Sequence, residues 1–316
     1  MLRFPAFLML GLASLSIAAP AQTTVPTAPG RHRVDITSTA DGSLQPSYVY
    51  VPPRAGSAGK QPLAVVLHTW SYDLEQRDSL LEKETTARGW LLLAPNFRGR
   101  NDHPGACGSP LAQQDILDAV QWVRSHYDVD DRRIYLLGLS GGGFMTMLMA
   151  AKHPDVWTAA SAWVGISDLR DWYATHEHDD YGKMMRACLG GAADESAAVA
   201  AEYAARSPMT YLNPRLTVPL DIAAGREDGT VPIRNSLNAF RAVAPNAISD
   251  AEIAALVGEG PGLPHPSPSD TASDALLGRR IFLRRTSGTA RLTIFDGWHE
   301  WMPLSAVAWL AEHQRP

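Results

Sequence analysis

The chain has 316 residues, 45% of them apolar and 19% charged, with a formal net charge of −5. This composition excludes a disordered chain and a bundle of membrane spans, and the acidic balance excludes the basic footprint of a nucleic-acid binder. Two cysteines are too few for a disulfide-dense mini-scaffold or a four-cysteine zinc site.

Met1 to Ala21 reads as a secretory signal: Arg3, an apolar run, then Ala19-Pro20-Ala21 as a small-x-small cleavage site before Gln22. A retained anchor is the alternative. The apolar core is short for a span that needs ~20 residues, so no stable membrane insertion is expected. Residues 22–32 are rich in Thr, Pro and Ala and read as a flexible lead-in, followed by a single domain over 33–316. Export to the periplasm or beyond exposes the chain to an oxidising compartment, where Cys107 and Cys188 are expected to pair. Two free buried thiols are the other reading.

Short apolar runs predict strands at Tyr48 to Val51, Leu63 to Leu67, Trp90 to Ala94, Arg133 to Leu137, Ala159 to Val164, Val218 to Ala223 and Arg291 to Phe295. Between many of them lie helical patterns. Gln113 to Ser125 sets Ile116, Leu117, Val120 and Val123 on one face, and Phe144 to Lys152 and Val307 to His313 are apolar helices. Strands alternating with helices predict an α/β fold, a mostly parallel twisted sheet covered on both faces. Two stretches interrupt the alternation and read as lid-like insertions, near 167–216 and 245–280. The first holds an Ala-rich helix near Ala197 to Ala205; the second holds a helix at Asp250 to Val257 and the turn-rich Pro261 to Pro268. Arg279-Arg280 and Arg284-Arg285 flank Ile281 to Leu283, which predicts an edge strand guarded by charge.

Arg133 to Phe144 reads RIYLLGLSGGGF, a strand running through Gly138-Leu139-Ser140-Gly141-Gly142 directly into a helix. This is G-x-S-x-G in the strand-turn-helix setting that presents a nucleophilic serine. Glycines let the chain take the sharp turn and keep neighbouring strands and helices from colliding with it. A serine hydroxyl needs a base, and His299, after the last strand run, is the candidate. His68, His126, His153 and His265 read as structural or solvated. A carboxylate must hold the imidazole, and Asp228 fits, with Glu227 as its rival and Asp221 inside the strand. One oxyanion donor is expected at the Gly141 N–H, the other at the Trp70 N–H, with Thr69 second. His176-Glu177-His178-Asp179-Asp180 reads as a solvated acidic loop rather than a metal site, and no metal or cofactor is expected. Of the aromatic residues near strand ends, Trp172 and Trp298 are candidates for a substrate-stacking surface, plain core being the other reading.

Together these stretches resemble an α/β-hydrolase related to the catalytic domain of the prolyl oligopeptidase family and its secreted esterase relatives. The resemblance rests on Asn96-Phe97-Arg98-Gly99, Asp115 with Trp122, Val129 to Ile134, the serine elbow, Ser207 to Tyr211, Gly225 to Pro232 and Gly297 to Glu300. It departs from the family at Thr69, where the early loop usually has glycine, and at Trp298. The large peptidases of this family restrict substrates with a β-propeller, and none is expected ahead of this hydrolase domain. The resemblance implies the chain order Ser140, Asp228, His299 and an acyl-enzyme. The expected substrate is a small-molecule ester, with acylated carbohydrate one form of it. The alternative is a serine peptidase cleaving short peptides, with Glu177, Asp179 and Asp180 as the acidic group that would hold a peptide amino terminus. No nucleic-acid partner is expected, and the oligomeric state is left open.

Overall fold

A computed structural model of the chain describes residues 25–53, 59–258 and 274–316. Residues 1–21, read as a signal, and Pro261 to Pro268 with His265 lie outside the described residues. Nine strands form one sheet in the order β1-β2-β4-β3-β5-β6-β7-β9-β8. β1 (Gly30–Thr37), β2 (Leu44–Val51) and β8 (Ile281–Ser287) pair antiparallel. β3 (Gln61–Leu67), β4 (Leu91–Pro95), β5 (Val129–Leu139), β6 (Ala159–Trp163), β7 (Leu220–Gly225) and β9 (Ala290–Phe295) run parallel to one another. Six loops therefore leave one sheet edge, the edge where α/β sheets place their ligands.

The parallel strands are continuous apolar runs because both faces are covered. On β5, Ile134 and Leu136 join the core on one side while Tyr135 and Leu137 face the other. α2 (Pro110–His126), α3 (Gly141–Lys152) and α7 (Arg234–Val243) cover the first face with Ile116, Leu148 and Phe240. α1 (Ser79–Ala87) and α9 (Pro303–Ala311) cover the second with Leu81 and Leu310. The stretch after β6 is built of α4 (Leu169–His176), α5 (Asp180–Leu189) and α6 (Ala197–Arg206). α8 (Asp250–Leu256) follows α7 and opens on a Ser249–Glu252 capping box. No helix of the described residues is long and apolar enough to cross a membrane.

The reading of residues 22–32 as a flexible lead-in is corrected at its end. Residues 30–32 open β1, whose register runs from Gly30 opposite Val51 to Thr37 opposite Leu44. That strand has one buried face, with Val34 and Ile36 inward and the exposed Asp35 between them.

Candidate active site

Ser140 follows β5 and caps α3 in a conformation (φ 56°, ψ −121°) that L-residues rarely adopt. Packing on every side holds it there. A Cβ on Gly138 would lie 2.5 Å from the Gly142 carbonyl carbon, one on Gly142 would collide with the Leu67 carbonyl oxygen, and one on Gly143 would lie 2.6 Å from that of Trp163. The Ser140 N–H donates to the Trp163 carbonyl at 2.8 Å. Its hydroxyl makes no capping bond to α3.

The turn after β7 is stitched to the loop after β9: the Arg226 N–H donates to Phe295 O at 2.8 Å and the Glu227 N–H to Gly297 O at 2.9 Å. Asp228 is thereby set facing His299, with Oδ2 2.8 Å from Nδ1. Its other oxygen accepts the N–H groups of Thr230 and Val231, both at 2.9 Å. A carboxylate only accepts, so Nδ1 of His299 carries the proton and Nε2 of the neutral ring is left with a lone pair. Glu227 points to solvent instead, and Asp221 is buried against Ser161 and Arg291. Among the described residues no hydrogen bond joins the Ser140 hydroxyl to His299; in sites of this type that bond often tightens only when substrate is bound.

The backbone of Trp70 lies directly against Gly141, where a Cβ would collide with the Trp70 nitrogen. Gly141 opens α3, so its N–H has no intrahelical acceptor. The Thr69 N–H is already used, donating to Gln76 Oε1 at 2.7 Å, and the Thr69 hydroxyl donates to the same oxygen at 3.0 Å. That leaves Trp70 as the amide of this loop available beside Gly141. His68 stacks on Phe97 with ring centroids 3.8 Å apart, and its nitrogens lie 2.9 Å from Thr69 O and 2.8 Å from Asn96 O. Burial pushes its pKa down, opposed by the two carbonyl oxygens that face its nitrogens. Gln76 was not singled out in the sequence, and no motif marks it.

Trp172 does not offer the stacking surface expected of it. It has no exposed area, its indole N–H donates to Thr230 O at 2.9 Å, and it meets Trp70 edge-on at 4.8 Å between centroids. Its work is to pack beneath Trp70 and hold the turn that carries Asp228. Trp298, by contrast, is 68% exposed beside His299. The acidic run is likewise only partly solvated. His176 is buried, with Nδ1 2.6 Å from Asp179 Oδ2 and Nε2 2.7 Å from Thr230 O, while Asp179 also caps α5. Cys107 and Cys188 form a disulfide with Cα atoms 6.1 Å apart, joining the loop after β4 to α5. Among the described residues no group of three or more His, Cys, Asp or Glu is arranged to hold a metal ion.

A sequence model of the prolyl oligopeptidase family matches residues 111–275, just over half of the chain, and one of the X-Pro dipeptidyl-peptidase (S15 family) matches residues 41–178. The chain is 29% identical over 153 residues to an uncharacterized peptidase of Bacillus subtilis, covering 48% of this chain and 56% of that protein. It is 26% identical over 179 residues to a feruloyl esterase B of Talaromyces stipitatus, covering 54% of this chain and 44% of that protein. The chain thus spans about half the length of these relatives. A crystal structure of puromycin hydrolase superposes with a TM-score of 0.63 at 18% identity, over 90% of this chain and 40% of that one, a likeness of fold. The fold is the α/β-hydrolase fold.

Proposed function

The chain belongs to the prolyl oligopeptidase family of serine hydrolases, and we propose that within it this protein is an exported hydrolase of carboxylic esters acting through an acyl-enzyme. The observation that carries the reading is the 2.8 Å contact between Asp228 and His299 at the sheet edge that also presents the strained Ser140. Ser140 Oγ attacks the ester carbonyl carbon while His299 Nε2 takes its proton. Asp228 keeps the ring in the tautomer that can do so and stabilises the imidazolium. The N–H groups of Gly141 and Trp70 meet the negative charge that develops on the carbonyl oxygen. His299 then passes the proton to the departing alcohol oxygen as the carbon–oxygen bond breaks, and water repeats the sequence to release the acid.

Esters are favoured over peptides because, of the carboxylates that would hold a peptide amino terminus, Asp179 is already committed to His176 and the α5 N-terminus and Asp180 to Lys183. The feruloyl esterase relative lends further support. Export is supported by the signal-like character of Met1 to Ala21 and by the disulfide. The test is kcat/KM for acetyl and aryl esters against dipeptidyl amides, with Asp179→Asn in parallel. Faster ester turnover that Asp179→Asn leaves in the same order is expected. Faster amide turnover, lost in Asp179→Asn, would establish the peptidase reading in its place.

A further inference from the structure

A cavity of about 330 Å³ opens beside His299, between the ends of β3 and β4, the start of α1 and the loop before α9. That volume is at the lower end for small-molecule sites and suits one ring rather than a polymer. It shares two walls with the candidate active site: His299 itself and Leu139, the residue before Ser140. Resting on the esterase reading above, we propose that this cavity is the subsite for the alcohol half of the ester, and that it takes a neutral, hydroxylated alcohol of monosaccharide size.

The direction follows from the chemistry. When the bond from the carbonyl carbon to the alcohol oxygen breaks, the proton taken from Ser140 must pass from His299 Nε2 to that oxygen. The alcohol therefore departs on the side of His299, and this cavity has His299 in its wall. The chemical class follows from the lining. Leu92 and Ala94 on β4, with Val66 on β3, give an apolar floor for ring carbons. Above it, Gln76 spends its carbonyl oxygen on Thr69, so its Nε2 remains a donor, and Asp73 uses only Oδ1, for the Glu75 N–H. A donor and an acceptor in the same lining match hydroxyl groups, which both give and take hydrogen bonds.

Charge narrows the class further. Four carboxylates line the cavity (Asp73, Asp78, Glu82 and Glu300); Arg77 pairs with Glu82 and Arg279 with Glu300, and the two that remain disfavour an anionic alcohol. Glu82 is occupied by Arg77 and by the Tyr50 hydroxyl at 2.9 Å, and Asp78 by the Trp301 indole at 3.0 Å. Burial, then the bond to Glu82, pushes the Tyr50 pKa up to about 12, so the phenol stays neutral and adds no further negative charge.

The experiment varies the two halves of the ester separately. One series keeps acetyl and enlarges the alcohol from methanol to a methyl xylopyranoside; the other keeps methanol and enlarges the acyl group from acetyl to butyryl. Ala94→Leu narrows the floor, and the more exposed Asp73→Asn serves where Ala94→Leu fails to fold. The ratio of kcat/KM for the acetylated glycoside to that for methyl acetate is expected to fall at least about tenfold in Ala94→Leu and severalfold in Asp73→Asn. An unchanged ratio, or a fall confined to the acyl series, overturns the assignment. Binding of the free methyl xylopyranoside to Ser140→Ala protein, read by saturation-transfer NMR, separates this inference from the one beneath it. Binding to Ser140→Ala protein that Ala94→Leu removes, together with a wild-type protein that cleaves no ester, keeps the cavity as a glycoside site and rejects the esterase. Ester turnover with no glycoside binding and no change of ratio does the reverse.

Discussion

At Asp228 both carboxylate oxygens are occupied, one by two backbone N–H groups and the other by His299. The backbone bonds fix where the carboxylate sits, and the remaining oxygen fixes the imidazole. Asn at this position keeps the shape but turns an acceptor into a possible donor, which favours the wrong tautomer of His299. Asp228→Asn should therefore lower kcat by about 10³–10⁴-fold with little change in the folded structure. Glu227→Gln, on an exposed side chain, should stay within a few-fold of wild type. Steady-state turnover of both variants at neutral pH is the check, and the opposite ranking would transfer the role to Glu227. Gln76 and Trp172 act one step further out. The first uses up the Thr69 amide so that Trp70 faces Gly141, and the second ties Thr230 and underlies Trp70.

Among the elements, α4 to α6 are held over the sheet edge by covalent as well as packed contacts. The disulfide joins residues 81 apart in sequence, and Arg206 of α6 donates to the carbonyls of Pro104 and Ala106 at 3.1 Å each in the same loop. Closing so long a loop stabilises by roughly 4 kcal/mol on the chain-entropy model. Replacing both cysteines by serine should lower the unfolding free energy by about 2–4 kcal/mol, read as a fall in urea midpoint. Thiol titration of the unreduced, denatured protein should find none; two reactive thiols would rule the bridge out.

How legible each element was depended on how it is buried. The parallel strands read clearly because runs such as Leu63 to Leu67 are apolar on both faces. β1 was hidden because Arg31, His32 and Arg33 run ahead of its two buried residues and Asp35 sits between them. α1, α4, α5 and α7 were hidden because their buried faces are short or partly polar; α7, for example, buries Asn235 and Ser236 beside Leu237, Ala239 and Phe240, and α4 buries His176 beside Leu169, Trp172 and Tyr173. Ser140, Asp228 and His299 stood out because each follows a recognisable strand. Trp172 was misread because aromatic character alone does not say whether a ring faces substrate or the underside of another ring.

At the scale of the whole molecule, the decisive feature is that β5, β7 and β9 run parallel and end at one edge. Three residues separated by up to 159 positions in the chain are thereby carried to the same side of the sheet. β2 and β8 flank the parallel core with antiparallel pairing, and Arg284 and Arg285 on β8 place charge on that edge strand, Arg284 paired with Asp274. The convergence has a catalytic meaning only if it makes Ser140 a nucleophile. The direct measurement is reaction with a fluorophosphonate, followed by peptide mass mapping and by the rate of labelling. The account predicts one adduct on the peptide carrying Ser140, none in Ser140→Ala, and labelling slowed by orders of magnitude in His299→Ala. An adduct on another residue, or ester turnover that survives in Ser140→Ala, would contradict it.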